Sequence, residues 1–289
     1  MNIIDAVINL VNKPVTEVVS YYKGHNRANN AGEALEEYIK DLFANSFGLN
    51  EQARLQKMSE VFSYLGNNSN PPDAMLKKGD AIEIKKIETN TASLALNSSY
   101  PKQVLRSDST MISSACRNAE VWDKKDIVYC VGVVQNNSLK HLAMVYGYDY
   151  CAAEECYSKV KTTIKNGVES IPNVEFADTN ELGRVNKVDP LGITYLRVRG
   201  MWGIENPWTV FNYIYNRNYS NKFNFMCVIN SDKWNNLDNR NALIDMEKSK
   251  ECLKISDVKI KNPDNPAQLR DAKLITFYIK LLLRACLRE

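Results

Sequence analysis

Pro72-Asp-Ala-Met-Leu-Lys-Lys-Gly-Asp-Ala-Ile-Glu-Ile-Lys-Lys-Ile87 is the stretch that decides the fold of this 289-residue chain. Short apolar runs on either side of Lys78-Gly79 predict two strands joined by a tight turn, that is, a β-hairpin. Side chains alternate between the two faces of a strand, so Glu83 and Lys85 share one face and the neighbouring isoleucines share the other. The hairpin is therefore expected to have a charged face with an apolar layer behind it.

The length of the turn decides which residues of the two strands face each other. A three-residue loop over 77–79 places Asp73 opposite Glu83, whereas a two-residue loop at Lys78-Gly79 shifts the register by one residue. In the first register, two carboxylates and the ammonium group of Lys85 meet at the end of the hairpin. Two adjacent carboxylates repel each other unless they share a proton or a cation.

That grouping suits metal-assisted hydrolysis of a phosphodiester. Mg²⁺ prefers hard oxygen ligands and usually takes only one or two protein carboxylates, such as Asp73 and Glu83, beside water and phosphate. The side chain of Lys85 can hold the attacking water or help to deprotonate it. By spacing alone, a surface hairpin with alternating charges is an equally good interpretation.

Three other stretches complete a pattern that resembles a known family. They are Asn26-Arg-Ala-Asn-Asn-Ala-Gly-Glu-Ala-Leu-Glu36, Leu96-Asn-Ser-Ser-Tyr-Pro-Lys102 and Leu196-Arg-Val-Arg-Gly-Met-Trp-Gly-Ile204. Together with Pro-Asp followed about ten residues later by Glu-x-Lys, they resemble type II restriction endonucleases of the PD-(D/E)xK superfamily, nearest to the NgoPII group. The resemblance extends over roughly residues 20–230 and is thinner at both ends.

The resemblance implies an α/β fold with a PD-(D/E)xK nuclease core, in which a mixed central β-sheet is flanked by helices. It implies that Asp73 and Glu83 hold Mg²⁺, that Lys85 orients or activates the water, and that cleavage of double-stranded DNA leaves 5′-phosphate ends. It also implies a short G/C-rich palindrome such as GGCC as the recognition site. A two-fold homodimer matches the symmetry of such a site, and a cognate methyltransferase would protect the host DNA.

A helix expected over residues 31–47 contributes a further carboxylate. Leu35, Ile39 and Leu42 lie on its apolar stripe, and at about 100° per residue Glu36 falls at the edge of that stripe. In the resembling nucleases a glutamate on this first helix reaches the catalytic site. The resemblance therefore assigns Glu36 as an accessory catalytic carboxylate, and an ordinary solvated helix glutamate is the alternative.

Polar side chains follow the hairpin at Asn97, Ser98, Ser99 and Lys102. On a strand end or a loop, such groups suit contacts with base edges or phosphates, which makes them candidate DNA-binding residues. A simple turn rich in Asn and Ser is the alternative. The segment that follows, 103–120, is predicted to be a helix.

A second candidate DNA-binding element is the strand predicted over 192–199. Its alternation places Arg197 and Arg199 on one face. Two adjacent guanidinium groups suit bidentate reading of neighbouring guanines, because each guanine offers O6 and N7 in the major groove. Contacts with phosphates or with carboxylates of a neighbouring strand explain the same pattern equally well.

The composition permits a DNA partner without requiring one. The net charge is only +3, so basic residues that bind nucleic acid must cluster in space rather than be present in excess. Seven cysteines without a Cys-x-x-Cys pair indicate free thiols in a reducing compartment and argue against a zinc site. The first residues do not resemble a signal peptide, and no apolar run is long enough to span a membrane. A cytoplasmic location is therefore expected, and the resemblance to restriction endonucleases implies that the cytoplasm is bacterial.

The rest of the pattern predicts one compact domain over 1–289, with the catalytic core at about 30–230 and a C-terminal part that packs or dimerises. A strand buried on both faces is predicted over 126–134, and further strands are predicted over 139–146 and 222–229. Helices are predicted over 152–165, from Asn206-Pro207 through residue 214, and near 240–252.

Three other functions remain open at this point. A repair or junction-resolving nuclease can use the same core without sequence specificity, although the arginine pair and the polar stretch at 97–102 argue mildly against it. A catalytically silent DNA-binding protein is disfavoured because all three core residues are present. A structural or interaction protein in which the hairpin is only a surface feature would fail to bind DNA at low salt, where phosphate contacts dominate affinity.

Overall fold

The computed structural model describes residues 1–24, 27–67, 70–179 and 181–281. Within these residues the helices are α1 (Ile3–Asn12), α2 (Val18–Gly24), α3 (Ala31–Ala44), α4 (Glu51–Val61), α5 (Ser114–Arg117), α6 (Gly147–Tyr150), α7 (Glu154–Glu169), α8 (Pro207–Val210), α9 (Ser231–Asn235) and α10 (Arg240–Ser249). In the described ranges, no helix is long and apolar enough to cross a membrane.

The strands of the same residues are β1 (Phe62–Tyr64), β2 (Ala74–Leu76), β3 (Ala81–Ile87), β4 (Leu94–Asn97), β5 (Val104–Arg106), β6 (Lys124–Gln135), β7 (Ser138–Tyr146), β8 (Glu175–Phe176), β9 (Gly183–Asn186), β10 (Leu196–Val198), β11 (Trp202–Ile204), β12 (Asn221–Asn230), β13 (Leu253–Asn262) and β14 (Asn265–Lys280).

A large mixed β-sheet organises these elements. Its strands run in the order β1-β2-β3-β6-β7-β12-β14-β13, and β5 pairs with the first residues of β6. Strand β3 is parallel to β6 and β7 is parallel to β12, whereas the other neighbours are antiparallel. Two small sheets accompany it, one of β8, β9 and β10 and one of β4 and β11. The predicted α/β architecture with a mixed central sheet flanked by helices is confirmed.

Each face of the large sheet has its own hydrophobic cluster. Along β6, Val128 and Cys130 contribute to one cluster while Tyr129 and Val131 contribute to the other. This is the alternation of a strand that is buried on both sides. Helices α1, α2 and α3 cover the first face, and β4, β11 and short helices cover the second.

The β2–β3 hairpin has the first of the two registers considered above. Ala74 pairs with Ile82, and a three-residue loop over 77–79 closes the hairpin. Lys78 lies in the left-handed region with a φ of 54°, a conformation typical of tight hairpin loops. Continued by one residue, this register places Asp73 opposite Glu83.

The prediction of a helix over 103–120 is wrong. Val104–Arg106 forms β5, which pairs along the start of β6, and only Ser114–Arg117 forms a single helical turn, with Ser113 as its N-cap. Between them, Ser107-Asp108-Ser109 is a run of turn-forming residues that ends the strand. Pairing with the central sheet therefore outweighs the local helical pattern.

The boundaries of the other predicted helices and strands differ less from those in the structure. The helix predicted over 31–47 ends at Ala44, because Asn45 adopts a left-handed φ of 50° that terminates it. The strand predicted over 192–199 contracts to β10, and the helix after Asn206-Pro207 ends at Val210. Three predicted strands are confirmed: 126–134 is part of β6, 139–146 is part of β7 and 222–229 is part of β12. The helix predicted near 240–252 is confirmed as α10.

Candidate active site

The Asp73 carboxylate is held by the backbone of the facing strand. Its Oδ2 accepts a hydrogen bond of 2.5 Å from the N–H of Ile84, and the N–H of Asp73 donates to the carbonyl oxygen of Ile82 at 3.0 Å. Gly66 approaches from the other side with a φ of +78°, so closely that a Cβ there would overlap the carbonyl oxygen of Asp73. The N–H of Ile84 therefore holds the carboxylate itself, and the close approach of Gly66 confines the main chain of Asp73.

Glu83 and Lys85 point from β3 to the same side, as the alternation predicts. Lys85 Nζ lies 2.6 Å from Glu83 Oε1, and the Glu83 side chain is only 10% exposed. Burial lowers the pKa of Lys85, but the carboxylates of Glu83 and Asp73 outweigh it and raise the pKa above its ordinary value. Lys85 is therefore an ammonium ion at neutral pH.

The other oxygen of the Glu83 carboxylate, Oε2, is buried and has no hydrogen-bond partner in the described part of the chain. A buried carboxylate oxygen without a partner is costly, and a cation is the ligand that would satisfy it. Residues 1–24, 27–67, 70–179 and 181–281 contain no cluster of three or more metal-binding side chains. Because Mg²⁺ usually takes only one or two protein carboxylates, Asp73 and Glu83 still fit the ion that the sequence predicted.

The two carboxylates of the hairpin also act on each other. Burial, followed by the negative charge of Glu83, raises the pKa of Asp73 to about 7, although Lys85 and the N–H of Ile84 lower it. Without a cation, the pair therefore retains a proton near neutral pH. A divalent cation between the carboxylates would take the place of that proton.

Asp73→Asn is expected to stabilise the metal-free protein more at pH 8 than at pH 5. The pKa of Asp73 is about 7 in the folded protein and about 3.9 in the unfolded chain. Between these two pH values the folded state binds more protons than the unfolded state. The free energy of unfolding of the wild type therefore falls as the pH rises from about 3.9 to about 7. The increase in the free energy of unfolding that Asp73→Asn causes should be larger at pH 8 than at pH 5 by on the order of 1–3 kcal/mol. Denaturant unfolding in EDTA at both pH values measures it.

Glu88→Gln is the control for this experiment. Its carboxylate is exposed, and the hydrogen bond from Lys86 lowers its pKa. A carboxylate with a lowered pKa stabilises the folded state at pH values above its pKa in the unfolded chain. The stability of Glu88→Gln relative to the wild type should therefore not increase as the pH rises. Equal gains for Asp73→Asn at pH 5 and pH 8 would contradict the raised pKa.

A cleft of about 180 Å³ lies in front of the three charged residues. The candidate DNA-binding residues Asn97, Ser98, Ser99 and Lys102 line it together with Asp73, Glu83 and Lys85. The structure thus brings seven of the ten predicted site residues onto one surface, because β4 lies over the face of the sheet to which Glu83 and Lys85 point.

Lys102 is more buried than is usual for a loop lysine, with 9% exposure. Its ammonium group donates to Ser99 Oγ and, at 3.3 Å, to the carbonyl oxygen of Tyr100, and it forms no ion pair within the described residues. Burial lowers the pKa of Lys102 to about 8, although the charge of Glu83 acts in the opposite direction. A second cation therefore lies beside the acid pair.

Glu36 is not part of the cleft lining. It lies on α3, which packs against Ile82 and Ile84 on the opposite face of the sheet. Its carboxylate is 36% exposed and 2.6 Å from Lys40 Nζ. Its negative charge nevertheless raises the pKa of Asp73 and of Lys85, so Glu36 is close enough to act on the site electrostatically. A catalytic role for it stays a prediction.

Arg197 and Arg199 also lie outside the cleft. They share a face, as predicted, and both contact the carboxylate of Glu181, at 2.5 Å from Arg197 Nη2 and 2.6 Å from Arg199 Nε. Beside base reading, the sequence left open contacts with phosphates or with carboxylates of a neighbouring strand. The structure has a carboxylate contact, but Glu181 lies in the loop before β9 rather than on a strand. Reading of bases by these arginines stays a prediction.

Three residues at the site were not predicted. Tyr100 lines the cleft and stacks on Tyr157 at 5.7 Å, and the hydroxyl of Tyr129 accepts from the N–H of Lys102 at 2.8 Å. Glu181 lies in the segment 166–189, where no periodic pattern distinguishes it. The available signal was the arginine pair itself, since adjacent like charges on a strand favour a carboxylate beside them.

Comparison with known proteins agrees with these features. The sequence model of the NgoPII restriction endonuclease family matches residues 1–261, which is more than the range of roughly 20–230 over which the resemblance was expected. The type II restriction enzyme NgoPII of Neisseria gonorrhoeae is 62% identical over 280 residues, covering 96% of this chain and 100% of the relative. No solved structure matches the chain at a significant level. The expected resemblance is confirmed, and the chain belongs to the NgoPII restriction endonuclease family.

Proposed function

We propose that the chain hydrolyses double-stranded DNA with Mg²⁺ at a catalytic group formed by Asp73, Glu83 and Lys85. Membership of a restriction endonuclease family makes it a site-specific deoxyribonuclease. The observation that supports this catalytic group is the meeting of two carboxylates and an ammonium ion in one cleft, with a buried, unpartnered oxygen on Glu83. The hairpin beside a parallel strand also supports a PD-(D/E)xK core within one domain over 1–289.

Asp73 and Glu83 would hold Mg²⁺ together with a non-bridging phosphate oxygen. When bound, the ion supplies Lewis-acid stabilisation of the charge that develops on the phosphate. The N–H of Ile84 keeps the Asp73 carboxylate aimed at the cleft, and the ion pair with Lys85 does the same for Glu83. Hydrolysis would leave a 5′-phosphate and a 3′-hydroxyl.

Lys85 is assigned to the attacking water. Its raised pKa makes it a hydrogen-bond donor, so it can hold the water oxygen and offset negative charge on the phosphate. Removal of a proton from the water would need the neutral amine, which the raised pKa disfavours. Of the two roles considered from the sequence, orientation of the water is the better supported.

The remaining predicted residues are assigned to DNA contacts and support. Asn97, Ser98, Ser99 and Lys102 border the catalytic cleft and are proposed to contact the DNA backbone or base edges next to the cut bond. Glu36 is proposed as an accessory carboxylate that acts on Asp73 and Lys85 through its charge.

A palindromic site accounts for the proposed assembly. A short G/C-rich palindrome such as GGCC has two-fold symmetry, which a homodimer of the 32.9 kDa chain would match. Exposed apolar side chains at Leu191, Ile193 and Tyr195 are available for such a contact. A monomer mass in light scattering on the cut-site duplex would contradict this assembly. We also propose that the enzyme acts in a bacterial cytoplasm, where a cognate methyltransferase protects the host DNA.

Unmethylated phage DNA is expected to give discrete fragments with Mg²⁺ and to remain intact with EDTA. The reason is that the paired carboxylates need a cation to bind an anionic phosphate. Gel electrophoresis shows the pattern, and sequencing of the fragment ends gives the recognition site and the cut position. A smear would indicate a nuclease without sequence specificity. Equal cleavage in EDTA would contradict the proposed role of Asp73 and Glu83.

A further inference from the structure

Glu181 binds Arg197 and Arg199 at the same time. Its Oε2 accepts from Arg197 Nε at 3.0 Å, and its Oε1 accepts from Arg197 Nη2 at 2.5 Å and from Arg199 Nε at 2.6 Å. The glutamate side chain is 15% exposed, whereas the arginine side chains are 46% and 60% exposed. One largely buried carboxylate therefore anchors two guanidinium groups that face outward.

The positions of these hydrogen bonds leave the same edge of both arginines available. A guanidinium group has a side edge, which includes Nε, and an end edge formed by Nη1 and Nη2. Glu181 occupies the side edge of Arg197 and the Nε–H of Arg199. Within the described residues neither end edge has another hydrogen-bond partner, so the donors of both end edges are available to a ligand.

This group lies next to the catalytic cleft. Glu181 lines a depression of about 300 Å³ with Lys161, Lys165 and Tyr100, and Tyr100 also lines the cleft that contains Asp73 and Glu83. A duplex lying along both depressions would pass Glu181, which binds the two arginines, close to the bond that is cut. Lys161 and Lys165 add positive charge along the same path.

We propose that Glu181 is a positioning residue for sequence recognition. It holds the end edges of Arg197 and Arg199 in place to donate to O6 and N7 of neighbouring guanines in the major groove. The inference rests on the proposed function, since it takes the substrate to be a DNA site cut by this chain. Preorganised donors lose less side-chain entropy on binding than two free arginines would.

The carboxylate favours base edges over phosphates as the target of these arginines. Glu181 lowers the net charge of the group from +2 to +1, which weakens its attraction for a phosphate, whereas a guanine edge is a neutral acceptor and loses less by this change. Guanine O6 and N7 also match the spacing of a bidentate arginine donor pair. The ion triad Arg197–Glu181–Arg199 is therefore suited to selecting a base rather than to gripping the backbone.

The test measures binding of two duplexes in a Lys85→Ala background with Mg²⁺, so that bound DNA stays intact. One duplex carries the cleavage site mapped with the wild-type enzyme, and the other carries the same bases in scrambled order. Glu181→Ala should weaken binding of the mapped site by about 10–100-fold. Binding of the scrambled duplex should be unchanged or slightly tighter, because a negative charge has been removed.

Two further comparisons separate positioning from a purely structural role. Replacing guanine by 7-deazaguanine removes the N7 acceptor, and this substitution should weaken binding by the parent protein but have little further effect in Glu181→Ala. Glu181→Gln retains one acceptor oxygen and should restore part of the discrimination. Glu175→Ala, which removes an exposed ion pair with Lys187 on the same small sheet, is the matched control and should leave both affinities unchanged.

The outcomes distinguish this inference from the proposed function. If the wild-type enzyme gives discrete fragments and Glu181→Ala retains its preference for the mapped site, the positioning role is wrong and the enzyme assignment stands. Equal tightening of both duplexes would instead make Glu181 an inhibitory contact and would also overturn the inference. If the wild-type enzyme gives no discrete fragments, the proposed function fails and this inference fails with it.

Discussion

Lys85→Ala is expected to lower the rate of DNA cleavage by about 10²–10⁴-fold. The Lys85 ammonium ion lies in the cleft 2.6 Å from Glu83, where we propose that it holds the attacking water. Alanine removes that donor and leaves two carboxylates whose repulsion is less compensated. Cleavage of the mapped site in single-turnover conditions measures the loss, and filter binding should show that most of the affinity for the duplex remains.

Lys86→Ala is the matched control, since Lys86 is the next residue on the same strand and points to the other side. Its ammonium group pairs with the exposed Glu88 at 2.6 Å and does not line the cleft. Its replacement should change the cleavage rate less than about threefold, as is usual when a surface ion pair is removed. If Lys86→Ala were as inactive as Lys85→Ala, the assignment of faces along β3 would be wrong.

The contrast between these two lysines shows what could be predicted from the sequence. Strand alternation is a local property, so the sides to which Glu83, Lys85 and Lys86 point follow from their spacing alone. The pairing of Asp73 with Glu83 depends only on the length of the loop between them, and the sequence reduced it to two registers. The relative positions of charged residues within one hairpin are therefore predictable before any long-range contact is known.

Features that depend on distant segments could not be predicted in the same way. Val104–Arg106 becomes a strand because β6 offers a free edge at Lys124–Asp126, and nothing within residues 103–120 encodes that neighbour. The burial of Lys102 beside Tyr129 and the contact between Glu181 and the arginine pair likewise join segments that are far apart in sequence. Long-range pairing overrides local propensity in such places.

Helix α4 is one of the elements that were not predicted, as are strands β13 and β14, and it explains how α3 is held. The buried Asp41 of α3 accepts hydrogen bonds from Arg54 Nε at 2.9 Å, from the hydroxyl of Tyr22 at 2.8 Å and from the hydroxyl of Ser46 at 2.6 Å. Arg54 also donates to Glu37 at 2.6 Å. A helix that docks through an ion pair rather than through an apolar stripe has no strong periodic signal in its sequence.

Arg54→Met is expected to destabilise the protein by about 3–5 kcal/mol. Methionine keeps the apolar stem of the side chain in place but leaves Asp41, which is fully buried, without its cation. Breaking a buried ion pair from one side is more costly than replacing both partners, because an uncompensated charge remains inside. Urea or guanidinium unfolding measures the loss, and an unfolding free energy within about 1 kcal/mol of the wild type would mean that Asp41 does not depend on Arg54.

Lys57→Met on the same helix separates this effect from the loss of a positive charge alone. Lys57 pairs with Glu60 at 3.2 Å, and both side chains are at least 41% exposed. Surface pairs of this kind contribute about 0–1 kcal/mol, so this variant should unfold close to the wild type. Because α3 packs against the β2–β3 hairpin and carries Glu36, the Arg54 variant should also lose cleavage activity at temperatures where Lys57→Met remains active. Loss of activity and loss of stability in parallel would connect the ion pair between α4 and α3 to the placement of the β2–β3 hairpin.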